Sequence, residues 1–84
     1  METRDKLLKI INHYGLPHQL KKLHEELFEF IEAILQDKDW YDIDNIKEEL
    51  ADVLVLLEQI KLFHDIDDED LNKIYEHKIN PTIS

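Results

Sequence analysis

Apolar residues recur along the chain at three- and four-residue intervals, which is typical of amphipathic helices, and no segment alternates like a strand. The first helix is predicted from about Thr3 to Tyr14, with Thr3 as its N-cap and Gly15 ending it. Pro17 suits the first turn of a second helix, over residues 17–36. One face of that helix, about 100° wide, is apolar and predicts burial against a core. It comprises Leu20, Leu23, Leu27, Phe30, Ile31 and Ile34.

A third helix is predicted over residues 45–64, and a short fourth helix from about Asp67 to His77 precedes a frayed end. Asn45 and Glu48 fit a capping box at the start of the third helix. The polar loop 37–44 is short, so we expect the second and third helices to form an antiparallel hairpin. The pattern therefore predicts an all-α fold, a helical bundle built round this hairpin, as a single domain over residues 1–84.

The apolar run 53–57 covers the whole circumference of the third helix, so that helix should be buried on several sides. A chain of 84 residues buries only roughly 60–65% of its unfolded surface, and its core contributes only a few kcal/mol. There is no cysteine, so no disulfide compensates. We therefore expect homo-oligomerisation to complete the bundle, as a dimer or a tetramer.

Twenty acidic residues against ten basic ones give the chain a net charge of −10. This balance argues against nucleic acid or an anionic membrane as a partner, because either needs a basic surface. The negative net charge is compatible with a bound divalent cation, and with an anionic ligand that binds through that cation. No apolar run reaches the roughly 18 residues of a membrane span, and no signal peptide opens the chain. The expected location is the cytoplasm.

Two pairs of acidic residues lie near the apolar faces of the second and third helices. Glu26 and Glu29 project beside the apolar face of the second helix, in the same sector as Gln19 and Lys22. Glu25 lies at the border of that sector. On the third helix, Glu49 projects inside the apolar face and Asp52 lies at its edge. A carboxylate facing a core is unfavourable unless it is protonated, paired or bound to metal.

Packing the two helices together would bring four or five of these carboxylates into one cluster, with Lys22 as the nearby counter-charge. Hard divalent cations prefer such oxygen ligands, and Mg²⁺ keeps open positions for phosphate oxygens. A metal-activated water that attacks a phosphoryl group is the natural chemistry of such a site. The alternative interpretation is that both acid pairs are merely solvated helix faces.

The spacing of these acids resembles the MazG-like, all-α nucleoside triphosphate pyrophosphohydrolases. The chain has Glu26-Leu-Phe-Glu29, a spacer of nineteen residues, and then Glu49-Leu-Ala-Asp52, and the flanking helices are also similar to that family. The resemblance implies Mg²⁺-dependent cleavage of a (d)NTP to a (d)NMP and pyrophosphate, with Mn²⁺ as a possible substitute. It implies metal ligation by both acid pairs, and a metal-binding or water-orienting role for Glu25, so that Glu25 and Glu26 are the catalytic candidates.

Further site residues and departures follow from the same resemblance. Gln19 and Lys22 share the sector of the second-helix acids and are candidate contacts to phosphate or base. Trp40 could stack on a base, and the alternative is that this lone loop tryptophan is a packing anchor. Family members usually carry basic residues, often an arginine, in the C-terminal segment, where this chain offers only Lys73 and Lys78. An alternative function is therefore a non-catalytic acidic helical interaction module that keeps the family fold.

Overall fold

The computed structural model describes residues 2–36 and 42–83, and these form four α-helices and no strand. The helices are α1 (Thr3–Tyr14), α2 (Leu16–Leu35), α3 (Ile43–Phe63) and α4 (Asp68–Ile83). The predicted all-α class is confirmed. Within the described ranges, none of the helices combines the length and the apolar character needed to cross a membrane. Trp40 lies outside the described residues.

Gly15 separates α1 from α2, as the sequence predicts. Its φ of 89° and ψ of 151° fall in a region that is essentially restricted to glycine. Its backbone N–H donates to the carbonyl of Ile11 at 2.8 Å and so closes the last turn of α1. Pro17 occupies the first turn of α2, where the missing N–H is not needed. Gly15 is therefore the single non-helical residue between α1 and α2.

The predicted N-caps of α1 and α3 are wrong. Thr3 is already helical, and Glu2 occupies the N-cap position without a side-chain capping bond. In α3 the N-cap is Asp42, whose Oδ1 accepts a hydrogen bond from the backbone N–H of Asn45 at 3.1 Å. This earlier cap starts α3 at Ile43, so the capping box predicted for Asn45 does not form.

α4 is longer than the sequence predicts, because it continues past His77 to Ile83. Between His77 and the end of α4 there is no glycine to stop the helix, and Pro81 is accommodated inside it. At its start, the side chain of Asp67 accepts a hydrogen bond from Glu69 N at 2.9 Å. Acidic side chains fill the first turn, where they interact favourably with the positive end of the helix dipole.

The principal helix pair is α2 against α3, and α1 packs on both of them. Gln19, early in α2, bonds to Gln59, late in α3, whereas Glu26 lies beside Glu49 and Asp52. This order of contacts is the one that two antiparallel helices produce. Three apolar side chains are buried among the described residues, namely Ile11, Val53 and Leu56.

Among the residues that the structure describes, the backbone of α4 makes no close approach to the other three helices. It is held at its start, where Lys61 of α3 forms ion pairs with Glu58 and with Asp68. The backbone N–H of Ile66 also donates to the carbonyl of Lys61 at 3.1 Å. All the α4 side chains that the structure describes are exposed, apart from the half-buried Ile79. The position of α4 therefore depends on a few polar contacts rather than on a shared core.

Candidate metal centre

Three carboxylates converge where α2 faces α3. Glu26 comes from α2, and Glu49 and Asp52 come from α3, and each offers one oxygen within 4.8 Å of the others. Glu49 and Asp52 are three residues apart, so they lie on the same face of their helix. The antiparallel packing places Glu26 opposite that face. Two helices are thus enough to assemble three oxygen ligands.

The cluster includes two carboxylate oxygens that are buried without any hydrogen-bond partner. These are Oε2 of Glu26 and Oε2 of Glu49, whose residues are half-buried, whereas Asp52 is exposed. A buried polar atom without a partner is destabilising, because it loses its hydration and gains nothing in return. A bound cation would supply the missing interaction for both oxygens.

The electrostatics of the cluster point the same way. Burial is the main factor that raises the pKa of Glu26, and the negative charges of Glu29 and Asp52 raise that pKa further. Burial likewise raises the pKa of Glu49, again with added repulsion from Glu29 and Asp52. Lys61 and Lys73 form ion pairs with acids that lie outside this cluster. A bound cation would relieve this repulsion.

Glu29 and Glu25 occupy different positions from the three converging acids. Glu29 is exposed, but its negative charge acts on both Glu26 and Glu49 and raises the pKa of each. Glu25 is exposed and lines a separate depression together with His18 and Lys22. The structure therefore brings Glu29 to the edge of the cluster and leaves Glu25 outside it.

The donor set fits a hard divalent cation. All the donors are carboxylate oxygens, two of them are unpartnered, and a fourth acid stands at the edge. Mg²⁺, Mn²⁺ and Ca²⁺ favour this chemistry, whereas the described part of the chain places no histidine in the group that could hold a softer metal. Because three ligands do not complete six-fold coordination, positions would remain for water and for ligand oxygens.

A cleft of about 280 Å³ adjoins the carboxylates. Glu26 and Asp52 form one part of its wall, and Lys22 contributes a positive charge beside them. The remaining lining combines apolar, aromatic and amide side chains from α1, α2 and α3: Ile10, Tyr14, Gln19, Val55, Leu56 and Gln59. An anionic group and an attached uncharged, partly apolar group could therefore bind side by side.

The other predicted substrate-binding residues divide into two groups. Gln19 and Lys22 both line the cleft, Gln19 as a buried side chain and Lys22 as an exposed one. Lys73 lies on the separate helix α4, where it pairs with Glu69 at 3.8 Å, and it does not line the cleft. Lys78 also lies on α4 and is absent from the cleft lining.

Gln59 is a cleft residue that the sequence reasoning missed. It is 2% exposed, and its Oε1 accepts a hydrogen bond from Gln19 Nε2 at 2.8 Å. A sequence feature could have identified it, because Gln59 follows Asp52 by seven residues and Gln19 precedes Glu26 by seven. Seven residues are two helical turns, so each glutamine lies on the same helix face as its carboxylate.

Comparison with known proteins gives one match. The family model of the MazG nucleotide pyrophosphohydrolase domain matches residues 17–76, which include α2 from its second residue, all of α3 and the first half of α4. Neither the curated proteins nor the solved structures contain a match to the chain. The matched range contains Glu26, Glu49 and Asp52.

Proposed function

The chain belongs to the MazG nucleotide pyrophosphohydrolase domain family, and from this premise we propose that it hydrolyses nucleoside triphosphates with Mg²⁺. The products are a (d)NMP and pyrophosphate. The observation that carries the proposal is the pair of buried, unpartnered oxygens of Glu26 and Glu49, next to Asp52 and beside a cleft. Such an arrangement is unfavourable in the absence of a cation and favourable with one.

Glu26, Glu49 and Asp52 would hold Mg²⁺, with Glu29 as a further ligand from the edge of the cluster. The ion would neutralise phosphate charge and acidify a water molecule. Lys22 would attract the same phosphates, since it is a cationic residue that lines the cleft together with Glu26. The cleft beyond the carboxylates would receive the nucleoside and so set the α-phosphate against the acids.

In the reaction, the oxygen of a water molecule bonds to the α-phosphorus, and the bond from that phosphorus to the bridging α–β oxygen breaks. The electron pair leaves with pyrophosphate, and the water proton passes to a carboxylate. Glu26 is the candidate for that role, because it lines the cleft beside Asp52. Glu25, one residue away but outside the cluster, would act by orienting the water.

We also propose that the protein assembles as a homodimer or homotetramer. Within the run 53–57, Val53 and Leu56 are buried, but Leu54 is 53% and Leu57 is 45% exposed. Leu27 and Ile31 of α2 are also largely exposed. This apolar surface continues the interior of a small bundle, so a second copy is a fitting cover. Sedimentation should give at least twice the 10.1-kDa mass of one chain.

A substitution tests the assembly. Leu54→Glu should shift the protein towards monomer, because it places a charge in the interface. Asn12→Glu, which makes the same change of charge at an exposed polar position on α1, should leave the mass unchanged. A parent protein that sediments as a monomer at micromolar concentration would contradict the proposed assembly.

The activity is tested by pyrophosphate release from a panel of canonical NTPs and dNTPs with Mg²⁺ or Mn²⁺. We expect metal-dependent release that Glu49→Gln and Asp52→Asn each reduce by at least about a hundredfold, as for removal of a directly acting group. Glu48→Gln is the matched control, because it changes the same charge on the neighbouring exposed side chain. Absence of release from every nucleotide would favour the interaction module.

A further inference from the structure

Gln19 and Gln59 form a polar pair at the part of the cleft that lies two helical turns from the carboxylates. Both are 2% exposed and both line the cleft. At a rise of about 1.5 Å per residue, the seven-residue offset places the pair about 10 Å along the helices from the acids. If phosphates lie at the carboxylates, the pair lies where the base of the same nucleotide would reach.

The hydrogen bonds of this pair run in one direction. His18 Nδ1 donates to Gln19 Oε1 at 2.9 Å, and Gln19 Nε2 donates to Gln59 Oε1 at 2.8 Å. Each amide oxygen therefore already accepts one hydrogen bond. Gln59 Nε2 has no hydrogen-bond partner among the described residues. It is not one of the described polar atoms that are closed off from solvent without a partner, so it remains accessible. The group that remains available to a molecule in the cleft is thus an N–H donor.

We infer that Gln59 is a specificity-determining residue that favours bases presenting a carbonyl oxygen over bases presenting an amino group at the same position. The inference rests on the proposed function and names its substrate class. Uracil and hypoxanthine carry an oxygen where cytosine and adenine carry an amino group. An amino group facing the Gln59 amide would place two donors against each other and leave both without an acceptor.

His18 is a positioning residue in this arrangement. It stacks on Tyr14, with ring centroids 5.1 Å apart and 17° between the planes. This contact holds the imidazole against Gln19, and its Nδ1–H keeps the Gln19 oxygen from turning towards Gln59. Without that donor the two amides could both reverse, and Gln59 would then present its oxygen to the cleft. The base preference is therefore set by the direction in which the hydrogen bonds run from His18 to Gln59, and not by the presence of two amides alone.

The test compares kcat/KM within two pairs of matched size, UTP against CTP and ITP against ATP. The parent should favour the oxo base of each pair by about tenfold to a hundredfold, as expected for one hydrogen bond that is made or left unpaired. Gln59→Leu should bring both ratios close to one. Gln59→Glu, which replaces the donor by an acceptor, should shift both ratios towards CTP and ATP.

Two further variants separate specificity from packing. Gln36→Leu removes a glutamine at the exposed end of α2, away from the cleft, and should keep the parent ratios. His18→Ala should lower the ratios while turnover of the preferred nucleotides persists, and His18→Asn, whose side chain can again donate, should restore part of the preference. Parent-like ratios in Gln59→Leu would show that the pair only ties α2 to α3 and would overturn the inference.

Failure of the proposed function would be seen separately. If no nucleotide is cleaved, the same preference is measured by titrating UMP and CMP against the side-chain amide NMR signals of Gln19 and Gln59. Tighter binding of UMP, with shifts at both amides, would support the inference although the enzyme proposal fails. Turnover with equal ratios in both nucleotide pairs would reject the inference and keep the enzyme proposal.

Discussion

Glu26 on α2 and Glu49 on α3 offer oxygens within 4.8 Å of each other, and each has a buried oxygen without a hydrogen-bond partner. Two like charges in this position raise each other's free energy unless a proton or a cation intervenes. The metal-free protein therefore stores an unfavourable interaction at the place where the proposed reaction occurs. This relationship leads to the first two predictions.

Divalent cations should raise the melting temperature of the protein. At a concentration about a hundred times Kd, Mg²⁺ or Mn²⁺ should add about 2.7 kcal/mol to the free energy of unfolding. The rise should be larger at pH 8 than at pH 5, because the ligands must lose their protons to bind metal. Thermal melting monitored by circular dichroism measures it, with Glu49→Gln abolishing the rise and Glu48→Gln retaining it. Equal responses in the two variants would argue against the site.

Without metal, the stability should depend on pH in a direction that the cluster sets. The folded pKa of Glu49 lies above its ordinary value of 4.5, so the protonated form is the one that the fold favours. Protonated Glu49 therefore contributes to the free energy of unfolding below pH 4.5, and this contribution is lost as the pH rises through the folded pKa of Glu49. Glu26 contributes in the same direction.

In EDTA, therefore, Glu49→Gln should melt at a higher temperature than the parent at pH 8, and the difference should shrink as the pH falls towards 5. Melting curves recorded at intervals between these pH values provide the measurement. Glu48→Gln serves as the control for the loss of one negative charge. A constant difference across the range would mean that Glu49 titrates as an ordinary surface carboxylate.

The hydrogen bond between Gln19 and Gln59 should be visible as a coupling energy. Gln19→Leu removes the donor to Gln59 Oε1 and should lower the free energy of unfolding by about 1–3 kcal/mol. Replacing both glutamines by leucine should cost less than the sum of the single changes, because no buried amide is then left unpaired. Urea unfolding of the four proteins in a double-mutant cycle measures the coupling. Strictly additive effects would show that the bond contributes nothing.

Any side chain at Gly15 should lower the stability of the protein. Its backbone angles are strained for any other residue, although a Cβ there would meet only Pro17 Cδ, at an ordinary 3.9 Å. Gly15→Ala should therefore lower the free energy of unfolding by about 1–3 kcal/mol through backbone strain alone. Unchanged urea unfolding would mean that the turn relaxes. The neighbouring change Asn12→Ala, at an exposed helical position, is the control and should have little effect.

Helix ends were harder to predict than the helices themselves. Asp42 and Asn45 are both good capping residues, and sequence preference alone does not decide between them. The structure selects Asp42, whose carboxylate reaches the backbone N–H of Asn45. α4 continued past His77 because the end of a helix depends on a stop residue, and the following residues contain none before Pro81.

The sequence by itself determined the all-α class, the approximate ranges of the helices and the acids that lie near an apolar face. These properties depend on residue spacing along one helix, which the order of residues records directly. The tertiary structure decided which of those acids meet, placing Glu26, Glu49 and Asp52 together and leaving Glu25 outside. It also decided that Gln59 reaches Gln19 across 40 residues and that α4 stays apart from the other helices. These outcomes depend on the rotation and register of one helix against another, which the packing of many side chains sets together.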